Sequence, residues 1–471
     1  MRYLFTSLHN REPDFYGRVG AELERLGHET RHVVVSRAGS RLQRERGLVS
    51  YCLMDEIRAL PEPADLAAEV ERIEREYELV SLRDVYRTDR VSDGLTEEQA
   101  VRRAVDHFRA LERLFDETRP DVLVPEVGNE TIRVVAHHIG LRRGIPVLFL
   151  LYTIFPDPLR LYVDTLHAPI APPEELRELS PAEVERVEAF RRSFTERAKP
   201  IREYRRWRIE RRRVGLFAGH VHRKLTEDRD NDYLHPFGLL WTNVSETARA
   251  RAMRPFYDSL DSVAEAGARP YVYFPLHVTD DYKIKKVIPH CVDQAAIVEQ
   301  VADALPQGYD LVLKEHPMSV GRNSVALLRR LRKRRNVRLV EPHASTHELI
   351  RRAEAVAVIS STVGLEALLY EKPVLTLGDP FYAGYGVTLD LDSFAGIREG
   401  VPALLRFRPD PDRIRSFLHA AMERCYPGAP ALVDFSDENA RRLARTLAEV
   451  GTEVVESRRT AVREPAETAP Q

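Results

Sequence analysis

Two short runs in the second half of the 471-residue chain carry side chains suited to holding an anion. The first is Lys314-Glu315-His316-Pro317, directly after an apolar run at 311–313. Lysine brings a point charge, histidine can donate a hydrogen bond, and Pro317 stiffens the turn that presents the imidazole. The second is Ser360-Ser361-Thr362-Val363-Gly364, between an apolar run at 355–359 and a helical stretch. Hydroxyls and amides at a helix N-terminus favour an anion, and Gly364 permits close approach of backbone. Glu366, in the first turn, is positioned to reach ribose hydroxyls. Each run also has a plain explanation, a loop histidine beside a solvated lysine and an ordinary helix cap. Together, on strands expected to be near neighbours, they point to the phosphate ester of a nucleotide. A third loop, from Gly378 to Gly386, places Phe381 and Tyr382 among glycines and suits a wall against a base or sugar. Turn chemistry explains its glycines equally well.

The first half offers a carboxylate. Pro125-Glu126-Val127-Gly128-Asn129-Glu130-Thr131-Ile132-Arg133 follows a strand and opens a helix. Glu126 at the strand's carboxyl end is the expected place for a general base or an acceptor-orienting group. A helix-start carboxylate facing solvent is the alternative, and Asp157, Asp164 and His9 are rivals for the role. Asp228-Arg229-Asp230 and Asp390-Leu391-Asp392 have a DxD form but read as loop carboxylates. His220, His222 and His235 lack an acidic or cysteine partner at metal-ligand spacing, so no metal site is expected. GxGxxG and GxxxxGK[ST] are both absent, which argues against a dehydrogenase or a P-loop NTPase.

These residues need elements to position them. Buried-type strands at 3–7, 32–35, 121–125 and 145–151 alternate with helical patterns at 15–26, 95–117 and 131–141. A second alternating series follows, with strands at 271–275, 310–314, 337–340, 355–359 and 374–377. Continuous apolar strands separated by helices indicate parallel sheets covered on both faces. The expected fold is α/β, two doubly wound Rossmann-like domains facing a cleft. The expected limits are an acceptor domain at 1–171, a helical arginine-rich connector at 172–235, a nucleotide domain at 236–451 and a disordered tail at 452–471.

Composition bounds the rest. A net charge of −2 and a pI near 6.8 argue against a general nucleic-acid binder. Cys52, Cys291 and Cys425 are isolated, so no disulfide framework is expected. The apolar part of the N-terminus is too brief for a secretory signal, and the longest apolar stretch, 145–155, is too short to span a bilayer. The expectation is a cytoplasmic protein. Six of the eight lysines fall between 283 and 372, where the motifs lie. The arginine-dense stretch 191–223, with Tyr204 and Trp207, reads as a solvated face with Arg/Glu pairing. It also suits a docking surface for anionic polymer or for acidic lipid at the inner membrane face.

Tyr273-Phe274-Pro275-Leu276-His277, the Lys314 to Pro317 run, the Ser360 to Ala367 run and the Phe381-Tyr382 loop together resemble the capsule polysaccharide biosynthesis proteins. The resemblance is clearest over 268–400, weaker over 121–164 and hardly visible in the arginine-rich middle. It implies the two-domain GT-B glycosyltransferase fold and no bound cofactor, the co-substrate being a nucleotide sugar, CMP-linked. It implies that Lys314 and His316 contact the donor phosphate, that Ser360, Ser361 and Thr362 cradle it, and that Glu366 lies near the ribose. Gly128 and Arg133 match a glycine turn and an arginine common in related proteins. The expected function is transfer of a sugar to a glycan or glycolipid acceptor. The alternatives are a CDP-glycerol-type glycerophosphotransferase, a UDP-sugar 2-epimerase, or a non-catalytic polysaccharide-binding protein on the same fold.

Overall fold

A computed structural model describes residues 1–8, 11–196, 211–264, 268–278 and 281–463. The chain divides into two units. Unit 1 comprises Met1–Leu166, Arg212–Pro236 and Cys425–Gln471, and unit 2 comprises His167–Arg211 and Phe237–Arg424.

In unit 1 the strands are β1 (Arg2–Ser7), β2 (Glu29–Val34), β3 (Val49–Cys52) and β4 (Val122–Pro125), all parallel and ordered β3-β2-β1-β4. A parallel bridge, Leu123 to Val147, carries β4 on to an antiparallel pair, β5 (Leu148–Tyr152) and β6 (Leu159–Val163). Five of the six β1 residues and all four of β4 are buried, as expected of strands covered on both faces.

In unit 2, β7 (Tyr271–Pro275), β8 (Asp310–Lys314), β9 (Val337–Val340), β10 (Ala355–Val358), β11 (Val374–Thr376) and β12 (Leu389–Asp390) are also all parallel. Their order is β12-β11-β10-β7-β8-β9. The α/β class with doubly wound parallel sheets is therefore observed. In each unit the first strand sits inside the sheet. The next two strands are laid on one side of it, and the chain then returns to the other side. The order reverses between β1 and β4, and again between β7 and β10. Ligands of such sheets bind beyond the carboxyl ends at these switch points.

The domain limits differ from expectation. Residues 167–171 go with unit 2, and the arginine-rich connector is shared between the two units. The terminal stretch does not close the second domain. A helix, Asp437–Arg463, packs on the Glu12–Arg25 helix of unit 1, with Ala440, Leu443, Ala444, Leu447 and Val455 joining the core of Phe15, Tyr16, Val19 and Leu23. It continues through 452–463, where a disordered tail was expected. The reason is a stripe at fourfold spacing, Leu443, Leu447, Gly451 and Val455, masked by Glu and Arg on the other faces. A Cβ at Gly451 would stand 2.4 Å from the Tyr3 hydroxyl, which donates to Leu447 O at 2.9 Å. Burying each large apolar side chain along such a seam contributes about 1.5–3 kcal/mol. No described helix is long and apolar enough to cross a membrane.

Candidate functional site

At the switch point of unit 2, three strand ends meet. β7 lies between β8 and β10, so its successor His277 stands between the Lys314-Glu315-His316-Pro317 turn and the Ser360-Ser361 turn. Two strand spacings, about 10 Å, separate β8 from β10 at the level of the sheet. His277 Nε2 accepts the backbone N–H of Ser360 at 3.2 Å, and Gln294 Oε1 holds the His277 amide at 2.8 Å. Burial, then the charges of Lys283 and His316, push the His277 imidazole down to about 3, so it is neutral at physiological pH. His316 also lies below the usual histidine range, by burial first and then by Lys314, while Asp281 acts in the other direction. Its Nδ1 accepts the Met318 amide at 3.1 Å. A neutral His316 therefore carries its proton on Nε2, where it can donate.

The serine-rich turn is organised unequally. Ser361 caps the Thr362–Leu369 helix, its Oγ accepting the Val363 amide at 3.2 Å. The Gly364 amide goes to Ser361 O, and the Ser360 amide to His277. This leaves the Ser361 and Thr362 amides for an incoming group. The Ser360 hydroxyl is buried and has no partner, although Ser360 is 3% exposed. A buried polar atom without a partner is costly, which marks a place where a ligand's acceptor would be favourable. Thr362 is exposed.

Gly364 serves packing. A Cβ there would lie 2.1 Å from the Tyr382 hydroxyl, which donates to Ser361 O. Phe381 and Tyr382 are both buried, edge to face at 5.2 Å. The wall they form thus braces the helix N-terminus. Tyr385 in the same loop donates to Ala171 O, and its hydroxyl accepts the Ala171 amide at 3.0 Å.

Lys314 is placed differently from a phosphate-facing cation. Lys314 is 3% exposed, and its ammonium donates to Ala344 O at 2.8 Å and to Thr346 Oγ1 at 2.6 Å. Burial pushes it down to about 8, against Glu366. Burial likewise pushes the Glu366 carboxyl up to about 7, against Lys314. Lys314 and Glu366 thus favour each other's charged form electrostatically, without outweighing burial. Pro317 begins the short turn Pro317–Ser319. Glu315 is fully buried, accepting from Asn323 Nδ2 at 2.7 Å and from the Tyr257 hydroxyl, which fixes the base of the His316 turn.

At the switch point of unit 1 the carboxylates are crowded. Arg133 donates to both oxygens of Glu12, at 2.9 and 3.0 Å, and to Glu130 at 2.8 Å. Glu126, 5% exposed, has an Oε1 without a partner. Burial, opposed by Arg133 and helped by Glu12, pushes its carboxyl up to about 7. That value suits a group that takes a proton near neutral pH. A Cβ at Gly128 would stand 2.0 Å from Glu130 Oε2 and 2.3 Å from Arg133 Nη1, so it would displace the ends of those two side chains.

Of the rivals, Asp164 is bound to the Val147 amide at 3.0 Å and to Arg458, and Asp157 is exposed. His9 lies outside the described residues. Asp228 is buried and accepts from the Arg37 amide at 2.7 Å, and Asp390 accepts from Thr376 and Thr388, each at 2.6 Å. Both are internal acceptors. Arg191 is paired with Glu188 and Glu371, and Arg192 with Glu185. Arg205, Arg206, Arg208, Tyr204 and Trp207 lie outside the described residues.

Sequence reasoning gave no role to His277, Lys283, Glu12 or Tyr16. His277 stands at a strand's carboxyl end, so the rule that found His316 would have found it too.

Residues 180–399 match the sequence model of the family described as capsule polysaccharide biosynthesis protein. The match begins inside the arginine-rich middle, where little resemblance was expected, and excludes 121–164. The chain is 33% identical to Protein FixF of Sinorhizobium fredii over 158 residues, 31% of this chain and 36% of that protein. It is 29% identical to the capsule polysaccharide modification protein LipA of Neisseria meningitidis serogroup B over 133 residues, 28% of this chain and 19% of that protein. The matched stretches thus span about a third of one curated relative and about a fifth of the other. Among solved structures, the Thermosulfurimonas dismutans KpsC β-Kdo 2,7 transferase aligns at 17% identity and a TM-score of 0.39, covering 76% of this chain and 97% of that one. A likeness that loose adds nothing to the topology described above. What the chain shows over residues 180–399 is therefore similarity to the capsule polysaccharide biosynthesis proteins.

Proposed function

We propose that the chain is a glycosyltransferase of the GT-B type that draws a sugar from a CMP-linked donor and passes it to a glycan or glycolipid acceptor. The observation that carries this reading is the orphaned, buried Ser360 hydroxyl at a helix N-terminus, on the far side of His277 from His316. A phosphate would take hydrogen bonds from Ser360 Oγ, the Ser361 and Thr362 amides and His316 Nε2. Negative charge grows on that phosphate as the sugar–oxygen bond breaks, and fixed donors there lower the barrier. The acceptor hydroxyl attacks the anomeric carbon, its proton passes to Glu126, and CMP departs with the bonding pair. The match of residues 180–399 to the capsule polysaccharide biosynthesis proteins supports the polymer class of acceptor. No step of this reading calls for a metal ion.

A thermal-shift panel of CMP, CDP, UDP and GDP tests it, because a ligand that binds only the folded chain raises its stability, by about 2.7 kcal/mol at a hundredfold excess over Kd. CMP is expected to give the largest shift, and His316→Ala to abolish transfer while leaving the fold intact. A chain that binds glycan but no nucleotide would be a binding protein, and turnover of a free UDP-sugar would make it an epimerase.

A further inference from the structure

We propose that Lys283, rather than Lys314, is the lysine that meets the donor's phosphate, an assignment that rests on the nucleotide reading above. The two lysines differ in where their ammonium groups are held. Lys314 donates to Ala344 O and Thr346 Oγ1, with Glu366 beside it, so its charge is committed to tying β8 to the loop after β9. Lys283 comes from the single wide helical turn Lys283–Val287 after β7, the strand at the switch point. Its Nζ stands 3.1 Å from the carbonyl oxygen of Ser360, the residue whose hydroxyl is buried without a partner. The Ser360 amide is held in turn by His277.

The same segment is anchored close to His316. Asp281 Oδ1 accepts the Lys283 amide at 2.8 Å, and the Asp281 carboxylate acts on the His316 imidazole. The Lys283 charge and His316 both lower the His277 imidazole. A phosphate seated on Ser360 Oγ and the Ser361 and Thr362 amides would therefore have the Lys283 ammonium within reach. An ammonium on a flexible stem can meet such an anion as a point charge without repacking the strand. Turning the Lys314 ammonium to a phosphate would cost its bonds to Ala344 O and Thr346 Oγ1, whereas the Lys283 ammonium already donates to Ser360 O, beside the proposed seat.

Isothermal titration of the full chain with CMP and with cytidine, which lacks the phosphate, tests the assignment. Lys283→Ala is expected to weaken CMP about tenfold or more while leaving cytidine unchanged, and Lys283→Arg to retain CMP within about threefold. Lys314→Met is expected to lower the melting temperature of the free chain yet shift the CMP affinity of the folded protein by less than about threefold. Equal CMP affinity in Lys283→Ala and wild type overturns the assignment and leaves the nucleotide reading standing. Equal losses of CMP and cytidine would also overturn it, by making Lys283 structural. A wild-type chain that binds none of the four nucleotides of the panel overturns the nucleotide reading, and this assignment with it.

Discussion

His277 Nε2 accepts the backbone N–H of Ser360 across 83 positions of sequence, tying the end of β7 to the end of β10 where the strand order of unit 2 reverses. The bond uses the lone pair of a neutral imidazole and one amide of the serine-rich turn. It fixes the turn in a conformation where the buried Ser360 hydroxyl has no partner, the feature on which the proposed phosphate seat rests. A polar turn held open in this way is preorganised, and the cost of ordering it is met in folding rather than in binding.

The two serines should separate cleanly under mutation. Ser361→Ala removes the cap of the Thr362–Leu369 helix and is expected to cost about 1 kcal/mol in urea unfolding. Ser360→Ala removes a buried hydroxyl with no partner, so stability should stay within about 0.5 kcal/mol, while the CMP-induced rise in melting temperature shrinks. Equal losses of stability in the two variants would contradict this division of labour.

Glu126 should govern the rate and its pH dependence. Glu126→Gln is expected to slow transfer by about 100-fold or more and to leave CMP binding intact. In the wild type the rate should climb with pH, reach half its maximum near 7 and level off above about 8, as the buried carboxyl gives up its proton. A rate–pH curve whose acid limb falls near pH 4 would remove Glu126 from the role.

Packing at Gly364 makes a prediction independent of function. Gly364→Ala drives a Cβ against the Tyr382 ring and hydroxyl and should cost about 1–3 kcal/mol. The penalty should be smaller in a Tyr382→Leu background, where the phenol is gone. A double-mutant cycle with no coupling would show that the loop rather than the ring sets the constraint.

Acid stability should be governed by opposed groups. His32, His107 and His277 are each pushed down to about 3 by burial from an ordinary 6.5. Between those values the unfolded chain takes protons that the folded chain refuses, so stability falls as pH drops from 6.5 toward 3. Each such group contributes a slope of at most about 1.4 kcal/mol per pH unit. Glu126 and Glu366, raised from 4.5 to about 7, act the other way, their folded forms holding protons over that interval. His107→Gln should flatten the acid limb measured by urea midpoints, and Glu366→Gln should steepen the rise between pH 4.5 and 7. An unchanged acid limb in His107→Gln would mean that this imidazole titrates alike in both states.

Much of the sheet in unit 2 was legible. Strands expected at 271–275, 310–314 and 337–340 are observed at those positions, because strands buried on both faces read as unbroken apolar runs. The stretch 53–95 was not legible. Two of its helices, Leu53–Arg58 and Arg83–Tyr86, are too short and charged to show a period. The C-terminal helix was missed past 452 because a stripe of one residue in four is thin against so many Glu and Arg.

Sequence alone determined which side chains stand at the carboxyl ends of strands, since apolar runs and the turns that end them are local. Lys314, His316, Ser360 and Glu126 could all be found that way. Only the tertiary structure decided which strand ends are neighbours, and which polar atoms are spent inside the protein. Ladder partners and buried acceptors come from distant parts of the chain. Thr346 claims the Lys314 ammonium 32 residues on, and His277 claims the Ser360 amide from 83 residues before. Desolvation then sets the protonation of Glu126 and Glu366, and no spacing of residues in a sequence records how much water a fold excludes.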